Sequence, residues 1–328
     1  MIDIATIKQP ILADFERFEQ HFADAFVSDN QTLQEIYAYV LDHVGKQVRP
    51  LLTLLSSLVC GKITDTAINA SVALELMHTA SLLHDDVIDE AEQRRGKPSV
   101  HTRWGNKAAI LSGDYLLASS FLVSTTINHP KIWNILASVG KKLAVGELLQ
   151  QDITVDLEAQ WNEEAYMKVI HHKTAQLFAA CCQIGALAAK ATKEQEAALT
   201  QFGENIGLIF QIKDDIFDYF DGAEIGKPTG NDLKEGKVTL PLLHALNVTS
   251  PTEHQSMLKK IRKVFMEQDE KYINEIQTFT KIHGGIEYAE SRMNHFKQKA
   301  LEALSIFDES EAKTTLEETL QFVSQRTY

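Results

Sequence analysis

The distribution of proline is the feature of this sequence that most constrains its fold. The chain of 328 residues contains 7 prolines, and none of them lies between Lys131 and Lys227. In that region apolar residues such as Leu177, Cys181 and Ala188 recur at spacings of three and four, the period of an amphipathic α-helix. We find no long alternating pattern typical of strands and no tract that marks a linker. The sequence therefore predicts an all-α fold, a large helical bundle formed by a single domain over residues 1–328.

Composition and charge exclude several classes of protein. The chain is 44% hydrophobic and 23% charged, which is typical of a globular protein with a sizeable core, and its net charge of −13 disfavours binding to nucleic acid. The longest apolar run, Leu51 to Cys60, is too short to span a bilayer, and residues 1–22 lack the apolar core of a signal peptide. We expect a cytoplasmic protein with no transmembrane segment. Cys60, Cys181 and Cys182 lack metal-ligand spacing and are predicted to be core thiols.

Two acidic clusters, Asp85-Asp86-Val87-Ile88-Asp89 and Asp214-Asp215-Ile216-Phe217-Asp218, lie inside apolar, helix-like stretches. Residues four apart share a helix face, so each cluster places like charges together that repel by roughly 0.2–0.5 kcal/mol per pair. One such spacing alone is typical of a solvated helix face, but its repetition beside large apolar residues indicates a need for cations. Mg²⁺ takes carboxylate oxygens. We therefore predict a Mg²⁺ site between two facing helices, with the ligands Asp85, Asp89, Asp214 and Asp218.

Basic residues accompany both clusters. They are Lys46, Arg49, Arg94, Arg95, Lys173, Lys227 and Lys237. Arginine supplies bidentate donors to phosphate oxygens and lysine a point charge, so the ligand should be a polyphosphate bridged by Mg²⁺. His78 lies about two turns before Asp85, on the metal-facing side, although a buried structural histidine is the alternative. Gln211 precedes Asp214 by three residues and also points toward the metals.

The segment from Asp221 to Lys237 is rich in glycine and lysine and is predicted to be non-helical. A nucleotide-binding P-loop is excluded, because Pro228 stands where Ser or Thr must bind the metal and no strand precedes the segment. Two alternatives stay open. The segment is either a mobile surface loop or a flap that brings lysines to an anion beside the second cluster.

Five ordered motifs between about residues 45 and 246 resemble the trans-prenyl diphosphate synthases, or polyprenyl synthetases. They are Gly45-Lys46-Gln47-Val48-Arg49-Pro50; Leu82-Leu83-His84-Asp85-Asp86-Val87-Ile88-Asp89 with Arg94-Arg95-Gly96; Lys173-Thr174; Phe210-Gln211-Ile212-Lys213-Asp214-Asp215; and Gly226-Lys227-Pro228-Thr229-Gly230-Asn231-Asp232-Leu233. The resemblance implies a homodimer of isoprenoid synthase bundles, each with a central cavity. It also implies that the enzyme joins isopentenyl diphosphate head to tail to an allylic diphosphate, such as farnesyl or geranylgeranyl diphosphate, and releases pyrophosphate.

The resemblance also implies roles for individual residues. Three Mg²⁺ on the allylic diphosphate would be held by Asp85, Asp89 and Asp214, with Asp218 acting through water. Around this diphosphate, the clamp would be completed by Arg94, Lys173 and Lys227. Isopentenyl diphosphate would be held by Lys46, Arg49, His78 and Arg95. Thr174 and Gln211 would face the allylic cation.

Small side chains near the first cluster bear on product length. Ala80 and Ser81 lie five and four residues before Asp85, about 6–7.5 Å deeper along the helix, where a growing tail would pass. In similar enzymes bulky aromatic residues at this level stop growth. By analogy we expect a long product of about seven to ten isoprene units, of the quinone side-chain type. Leu74 or Met77, which lie deeper, could shorten it.

Three rival functions share parts of this pattern. A class I terpene cyclase would have helices and the first acidic cluster, but no use for a second diphosphate site. A metal-dependent phosphohydrolase could use His84-Asp85 with His171-His172. A non-catalytic helical subunit is disfavoured by the two intact clusters.

Overall fold

Helices dominate the computed structural model, which describes residues 3–155, 161–220 and 230–326. Within these ranges the strands are limited to one two-stranded pair, so the predicted all-α fold is confirmed. Lys227 and most of the glycine-rich segment lie outside the described residues. That segment's described part, from Gly230 on, contains a short helix where we expected none.

The first part of the chain folds into seven helices and a small hairpin within the described residues. The helices are α1 (Ile4–Lys8), α2 (Leu12–Asp24), α3 (Gln31–Leu41), α4 (Val48–Val59), α5 (Asp65–Ile88), α6 (Val100–Trp104) and α7 (Asn106–Thr125). A 3₁₀ turn, Gln9–Ile11, joins α1 to α2. The strands β1 (Gln93–Arg94) and β2 (Lys97–Pro98) pair antiparallel, with Arg94 opposite Lys97. This hairpin follows the first acidic cluster directly.

The remaining helices begin with the long proline-free region. They are α8 (Pro130–Val155), α9 (Glu163–Ile170), α10 (Gln176–Ala188), α11 (Lys193–Phe217), α12 (Asn231–Lys234), α13 (Leu240–Val248), α14 (Pro251–Glu267), α15 (Ile273–Ile282), α16 (Gly285–Leu304) and α17 (Glu311–Gln325). A π-helical segment, His171–Ala175, joins α9 to α10, and a 3₁₀ turn, Glu270–Tyr272, precedes α15.

Local sequence signals explain where the helices begin. The Thr64 side chain accepts a hydrogen bond from the N–H of Ala67 at the start of α5, and Asn162 accepts one from Ala165 at the start of α9. Pro130 and Pro251 stand at the first positions of α8 and α14, where a helix needs no N–H. These two prolines therefore lie at helix starts, and the interiors of α8 to α11 contain none.

The chain forms two compact units from interleaved segments. Unit 1 contains the residues up to 141, then 177–203 and 301–322; unit 2 contains 142–176, 204–300 and the residues from 323 on. In unit 1, α5 packs along α7 and also contacts α2 and α4. A ladder of aromatic rings, with centroids 4.9 to 5.6 Å apart, packs there and consists of Phe15, Phe18, Phe22, Phe26, Tyr37 and Tyr115. In unit 2, α13 packs on α9, α14 and α15. The assignment of residues 1–328 to one domain stays a prediction.

The prediction of buried cysteine thiols is confirmed for two of the three cysteines, whereas the predicted absence of a transmembrane segment is not tested. Cys181 and Cys182 are fully buried thiols, as predicted, and Cys60 is half-buried. Among the described residues, α7 is long and apolar enough to cross a membrane by length and composition alone, and about a third of its most apolar part is buried. The absence of a transmembrane segment therefore stays a prediction.

Candidate active site

The first acidic cluster lies at the C-terminal end of α5. Asp85 and Asp86 are in the last turn, and Asp89 caps the helix, its N–H donating to the Asp85 carbonyl at 2.8 Å. The last turn contains no basic residue. Carboxylates at this negative end of the helix dipole are unfavourable by roughly 0.3–1 kcal/mol each. The cluster therefore destabilises the end of α5 slightly, and a bound cation would offset this effect.

Asp86, the middle residue of this cluster, has a cationic partner from the hairpin. Its side chain is 2% exposed, and the Arg94 Nε donates to both carboxylate oxygens at 2.7 and 2.9 Å. The second guanidinium contact, from Nη2 to Oδ1, is also 2.7 Å. Arg94, which we predicted to bind diphosphate, is therefore anchored beside the metal-binding candidates by a buried carboxylate.

A group of basic side chains gathers near His78 in unit 1. The Arg49 Nη1 donates to the His78 Nε2 at 2.9 Å, and the Arg49 guanidinium lies 4.8 Å from the centre of the Phe178 ring. Burial, reinforced by Arg49, Arg94 and Arg95, lowers the pKa of His78 well below its ordinary value. His78 is therefore a neutral acceptor that orients Arg49.

The loop before α4 contains Gly45 and Lys46 and lies beside Arg95 of the hairpin. A Cβ at Gly45 would lie 2.5 Å from the Arg95 Nη2, so a side chain there would displace this guanidinium from its present position. Arg95 donates to the His43 carbonyl at 2.5 Å. Lys46 is exposed, with its ammonium 5.3 Å from the centre of the Phe322 ring.

One pocket of unit 1 is lined by His78, Arg94 and Arg95 together with Asp86 and Glu75. Glu75 is 6% exposed, and its Oε2 has no hydrogen-bond partner among the described residues. Burial raises its pKa, while Arg49 and Arg95 oppose the shift. A buried acid facing predicted substrate-binding arginines would hold their side chains in place.

The second acidic cluster lies at the C-terminal end of α11, and its three carboxylates have different partners. Asp214 forms an ion pair with Arg326, with 2.8 Å between Nη2 and Oδ1. Asp218 accepts backbone hydrogen bonds from Asn231 and Asp232 at 3.1 and 3.2 Å. Asp215 is 4% exposed and is bound by side chains of the interior. The three carboxylates of the motif therefore differ in their binding partners.

Negative charge accumulates around this second cluster. Burial, together with repulsion from Asp214 and Asp218, raises the pKa of Asp215 to about 7. Loss of hydration also raises the pKa of Asp218 and, with repulsion from Asp218 and Asp215, raises that of Asp232 well above its ordinary value. A cation bound here would relieve this repulsion.

The π-helical segment carries Lys173 and Thr174. A Cβ at Gly146 of α8 would lie 2.7 Å from the Lys173 backbone nitrogen, so this glycine permits the close approach of α8 to the segment. The Lys173 ammonium lies 2.6 Å from Glu147 and 3.3 Å from Gln150, and the Thr174 hydroxyl donates to the Gln211 Oε1 at 2.7 Å. π-helical insertions are frequent at functional sites because they redirect side chains.

A pocket of unit 2 brings together Lys173, Gln211 and Lys237. Its remaining polar lining includes Asp215 and Asp232, and its apolar walls include Trp161, Ile170 and Leu243. Lys237 forms an ion pair with Glu235. An anionic head group and an apolar chain would both find complementary surfaces there.

The carboxylates suit a metal that is shared with a ligand. Among the described residues, no three acidic, histidine or cysteine side chains converge closely enough to hold a metal ion by themselves. Mg²⁺ usually takes one or two carboxylates, several waters and the phosphate oxygens of a substrate. The donor set of each cluster fits Mg²⁺ bound in this way.

Sequence analysis missed four residues of these sites: Glu75, Tyr166, Asp232 and Arg326. Asp232 belongs to the glycine-rich motif, and Glu75 lies one helical turn before His78, so both had a local signal. Tyr166 and Arg326 reach the second cluster from distant parts of the chain, and no local pattern marks them.

Comparison with known proteins identifies related sequences. The sequence model of the Polyprenyl synthetase family matches residues 30–278. The octaprenyl diphosphate synthase of Haemophilus influenzae is 34% identical over 317 residues, covering 96% of this chain and 95% of that protein.

Solved structures share the whole fold. A polyprenyl synthase from Caulobacter crescentus CB15, complexed with calcium and isoprenyl diphosphate, has a TM-score of 0.92 at 31% identity, covering 99% of this chain and 98% of that chain. A geranylgeranyl pyrophosphate synthase from Bacteroides thetaiotaomicron has a TM-score of 0.84 at 39% identity, covering 99% and 100%. These similarities confirm the predicted isoprenoid synthase type of bundle.

Proposed function

The chain belongs to the polyprenyl synthetase family, and we propose that it condenses isopentenyl diphosphate head to tail with an allylic diphosphate to give a long-chain all-trans polyprenyl diphosphate. The observation that carries this proposal is the placement of two acidic clusters at the C-terminal ends of α5 and α11, each near arginine or lysine side chains. This arrangement suits a metal-bound diphosphate.

Mg²⁺ is the proposed metal, with three ions per site and the ligands Asp85, Asp89, Asp214 and Asp218. The related Caulobacter structure contains calcium, another hard divalent cation that prefers oxygen ligands. When bound, Mg²⁺ would neutralise the charge that develops on the departing pyrophosphate.

The basic side chains divide into two proposed groups. Isopentenyl diphosphate is held by Lys46, Arg49, His78 and Arg95. His78, neutral and hydrogen-bonded to Arg49, orients that guanidinium toward a phosphate. The allylic diphosphate is held by Arg94, Lys173, Lys227 and Lys237. Because Asp86 fixes Arg94 and Glu147 lies beside Lys173, these two cations are positioned before substrate arrives.

The reaction proceeds in three steps. The allylic C–O bond breaks, and its electron pair leaves with pyrophosphate. The alkene of isopentenyl diphosphate then attacks the allylic cation, and pyrophosphate takes the proton that is lost from the adjacent carbon. Thr174 and Gln211 present oxygen atoms to the cation, and the surrounding apolar walls exclude water.

Small residues below the first cluster support a long product. Ala80 is 2% exposed, and the Ser81 hydroxyl is turned back to the His78 carbonyl at 2.9 Å. Neither side chain is bulky enough to stop a growing chain, so we propose about seven to ten isoprene units. The similarity to a geranylgeranyl pyrophosphate synthase makes a product of four units the competing outcome.

The exposed face of α7 supports a homodimer. Ile110, Leu111, Phe121 and Leu122 are 42%, 54%, 56% and 70% exposed. Ile110 and Phe121 lie three turns apart, as do Leu111 and Leu122, so these residues form an apolar stripe on one face of α7, with the exposed Asp114 between the two pairs. A stripe of this kind is usually covered by a partner, here a second copy of the chain. The cytoplasmic location stays a prediction.

The test is to size the products. Purified protein, Mg²⁺ and labelled isopentenyl diphosphate are mixed with allylic primers of ten, fifteen or twenty carbons. We expect elongated all-trans polyprenyl diphosphates, and we expect the folded variant Asp85→Ala to lose turnover by orders of magnitude. A cyclised hydrocarbon from allylic diphosphate alone would identify a terpene cyclase. Phosphate release without isopentenyl diphosphate would identify a phosphohydrolase.

A further inference from the structure

A chain of hydrogen bonds crosses the interior of unit 2 beside the second acidic cluster. The Tyr166 hydroxyl, on α9, donates to the Asp215 Oδ2 at 2.5 Å. The other oxygen of Asp215 accepts from the Gln211 Nε2 at 2.8 Å, and the Gln211 Oε1 accepts from the Thr174 hydroxyl at 2.7 Å. The chain therefore connects a buried phenol to a residue proposed to face the allylic cation.

Each link of this chain has a defined direction. Gln211 turns its NH₂ group to Asp215, so its carbonyl oxygen is the atom that faces Thr174. The Thr174 hydroxyl then donates its proton to Gln211 and presents lone pairs on its other side. Burial and the Asp215 carboxylate raise the pKa of Tyr166 well above its ordinary value, so the phenol keeps its proton and donates.

Asp215 is placed for this internal task and not for metal binding. It is 4% exposed, and both of its oxygens are bound by side chains. The neighbouring acids face other partners, since Asp214 pairs with Arg326 and Asp218 accepts backbone N–H groups. Asp215 is thus the interior acceptor of the motif, whereas Asp214 and Asp218, the two proposed metal ligands, have separate partners.

We propose that Tyr166 is a positioning residue for prenyl transfer, which holds Asp215 so that Gln211 keeps the Thr174 oxygen directed at the developing cation. The proposal rests on the proposed function, because it assigns the cation to Thr174. Tyr166 also lines the pocket of unit 2, but its hydroxyl donates to Asp215 and acts through that residue. Loss of its hydroxyl leaves one oxygen of Asp215 without this hydrogen bond. The orientation of Asp215, and through it of Gln211 and Thr174, is then weaker.

Tyr219 offers a matched control. It is 2% exposed in the same unit, and its hydroxyl forms a hydrogen bond with the Thr239 hydroxyl at 3.0 Å, outside this chain. Tyr166→Phe and Tyr219→Phe therefore remove the same atom from two buried rings, which are 7% and 2% exposed. Only the first substitution should affect the orientation of Thr174.

The experiment measures kcat and KM for both substrates in the two variants. We expect Tyr166→Phe to lower kcat about tenfold with little change in KM, since a charge-assisted hydrogen bond is lost, and Tyr219→Phe to change neither. Because Tyr166 acts through Thr174, the double variant Tyr166→Phe/Thr174→Val should be no slower than Thr174→Val alone. Multiplying effects in the double variant, or equal losses in the two phenylalanine variants, would overturn the inference.

Asp215→Asn gives an independent test should Tyr166→Phe fold poorly. We expect the same loss of kcat with an unchanged Mg²⁺ concentration for half-maximal rate. A several-fold higher Mg²⁺ requirement would make Asp215 a metal ligand and contradict the assignment. Absence of prenyl product from the unaltered enzyme would instead refute the proposed function, so the two failures are distinguishable.

Discussion

The carboxylate of Asp214, a proposed magnesium ligand, is paired with the guanidinium of Arg326. The Arg326 side chain is 11% exposed, lies 3.9 Å from the centre of the Phe210 ring and donates to the Phe210 carbonyl at 2.8 Å. Burial lowers the pKa of Arg326, and the nearby Asp214 opposes this shift. A metal bound at Asp214 would therefore compete with this guanidinium for the same carboxylate.

Arg326→Gln should strengthen metal binding at the second cluster. An ion pair of this partly exposed kind is worth roughly 1 kcal/mol, so its removal should raise the affinity for Mn²⁺ about fivefold. Because the metal is shared with a diphosphate, Mn²⁺ titration of the protein saturated with pyrophosphate measures the change. Arg292→Gln is the control, because Arg292 pairs with Glu163 instead. Equal or weaker affinity in Arg326→Gln would mean that the guanidinium assists the metal.

Ala80→Phe should shorten the product. Ala80 is 2% exposed and lies about 7.5 Å along α5 from Asp85, so an aromatic ring there would fill the path of a growing tail. The expected result is a shift of the labelled products toward fewer isoprene units while isopentenyl diphosphate is still consumed. An unchanged length distribution would mean that the tail follows another route.

The contrast between Asp215 and the residues around it shows what sequence could predict about the site. Residues three or four apart on one helix are placed by helical periodicity alone, which is why both acidic clusters and Gln211 could be assigned to helix faces. Tyr166 and Arg326 reach the second cluster through tertiary packing. Such contacts between distant segments leave no local pattern.

The two helices that carry the acidic clusters, α5 and α11, both end at these clusters. Sequence analysis placed the carboxylates on helix faces but did not predict that α5 ends at Ile88 and α11 at Phe217. At these ends the helix dipole disfavours anions, so the clusters weaken the helices that carry them. The stability of α5 must therefore come from its buried face and its opposite end.

Thr64→Ala tests the N-terminal end of α5. The Thr64 hydroxyl accepts from the Ala67 N–H at 3.2 Å and donates to the Ala188 carbonyl at 3.3 Å. Loss of this cap should lower the free energy of unfolding by about 1 kcal/mol, measured by urea titration, and Thr64→Ser should restore most of it. Unchanged stability in Thr64→Ala would show that tertiary packing alone sets the start of α5.

Helix positions were predictable where proline and apolar spacing define them, as in α8 to α11. The exceptions follow from packing. The π segment at His171–Ala175 accompanies the close approach of Gly146, and the hairpin at Gln93–Arg94 presents Arg94 to buried Asp86. Short α12 is held by Asp218, which accepts backbone hydrogen bonds at its first residues. None of these contacts has a periodic signature.

The proposed homodimer depends on one exposed face, the apolar stripe of α7. A net charge of −13 opposes self-association in general, so a dimer requires a specific apolar surface. The stripe on α7 is such a surface, and its four large side chains give it more apolar area than isolated residues such as Ile282, which is 75% exposed on α15. Stable association of this kind needs a continuous patch, not a single side chain.

Leu122→Glu should convert the proposed dimer to a monomer. Leu122 is 70% exposed, so the fold tolerates the charge, whereas two buried glutamates at a symmetric interface would repel and lose hydration. Light scattering coupled to size exclusion should report a mass near 36.8 kDa for this variant and twice that for the unaltered protein. Ile282→Glu, equally exposed but off the stripe, should remain a dimer. A monomeric unaltered protein would refute the homodimer, and a dimeric Leu122→Glu would move its interface away from α7.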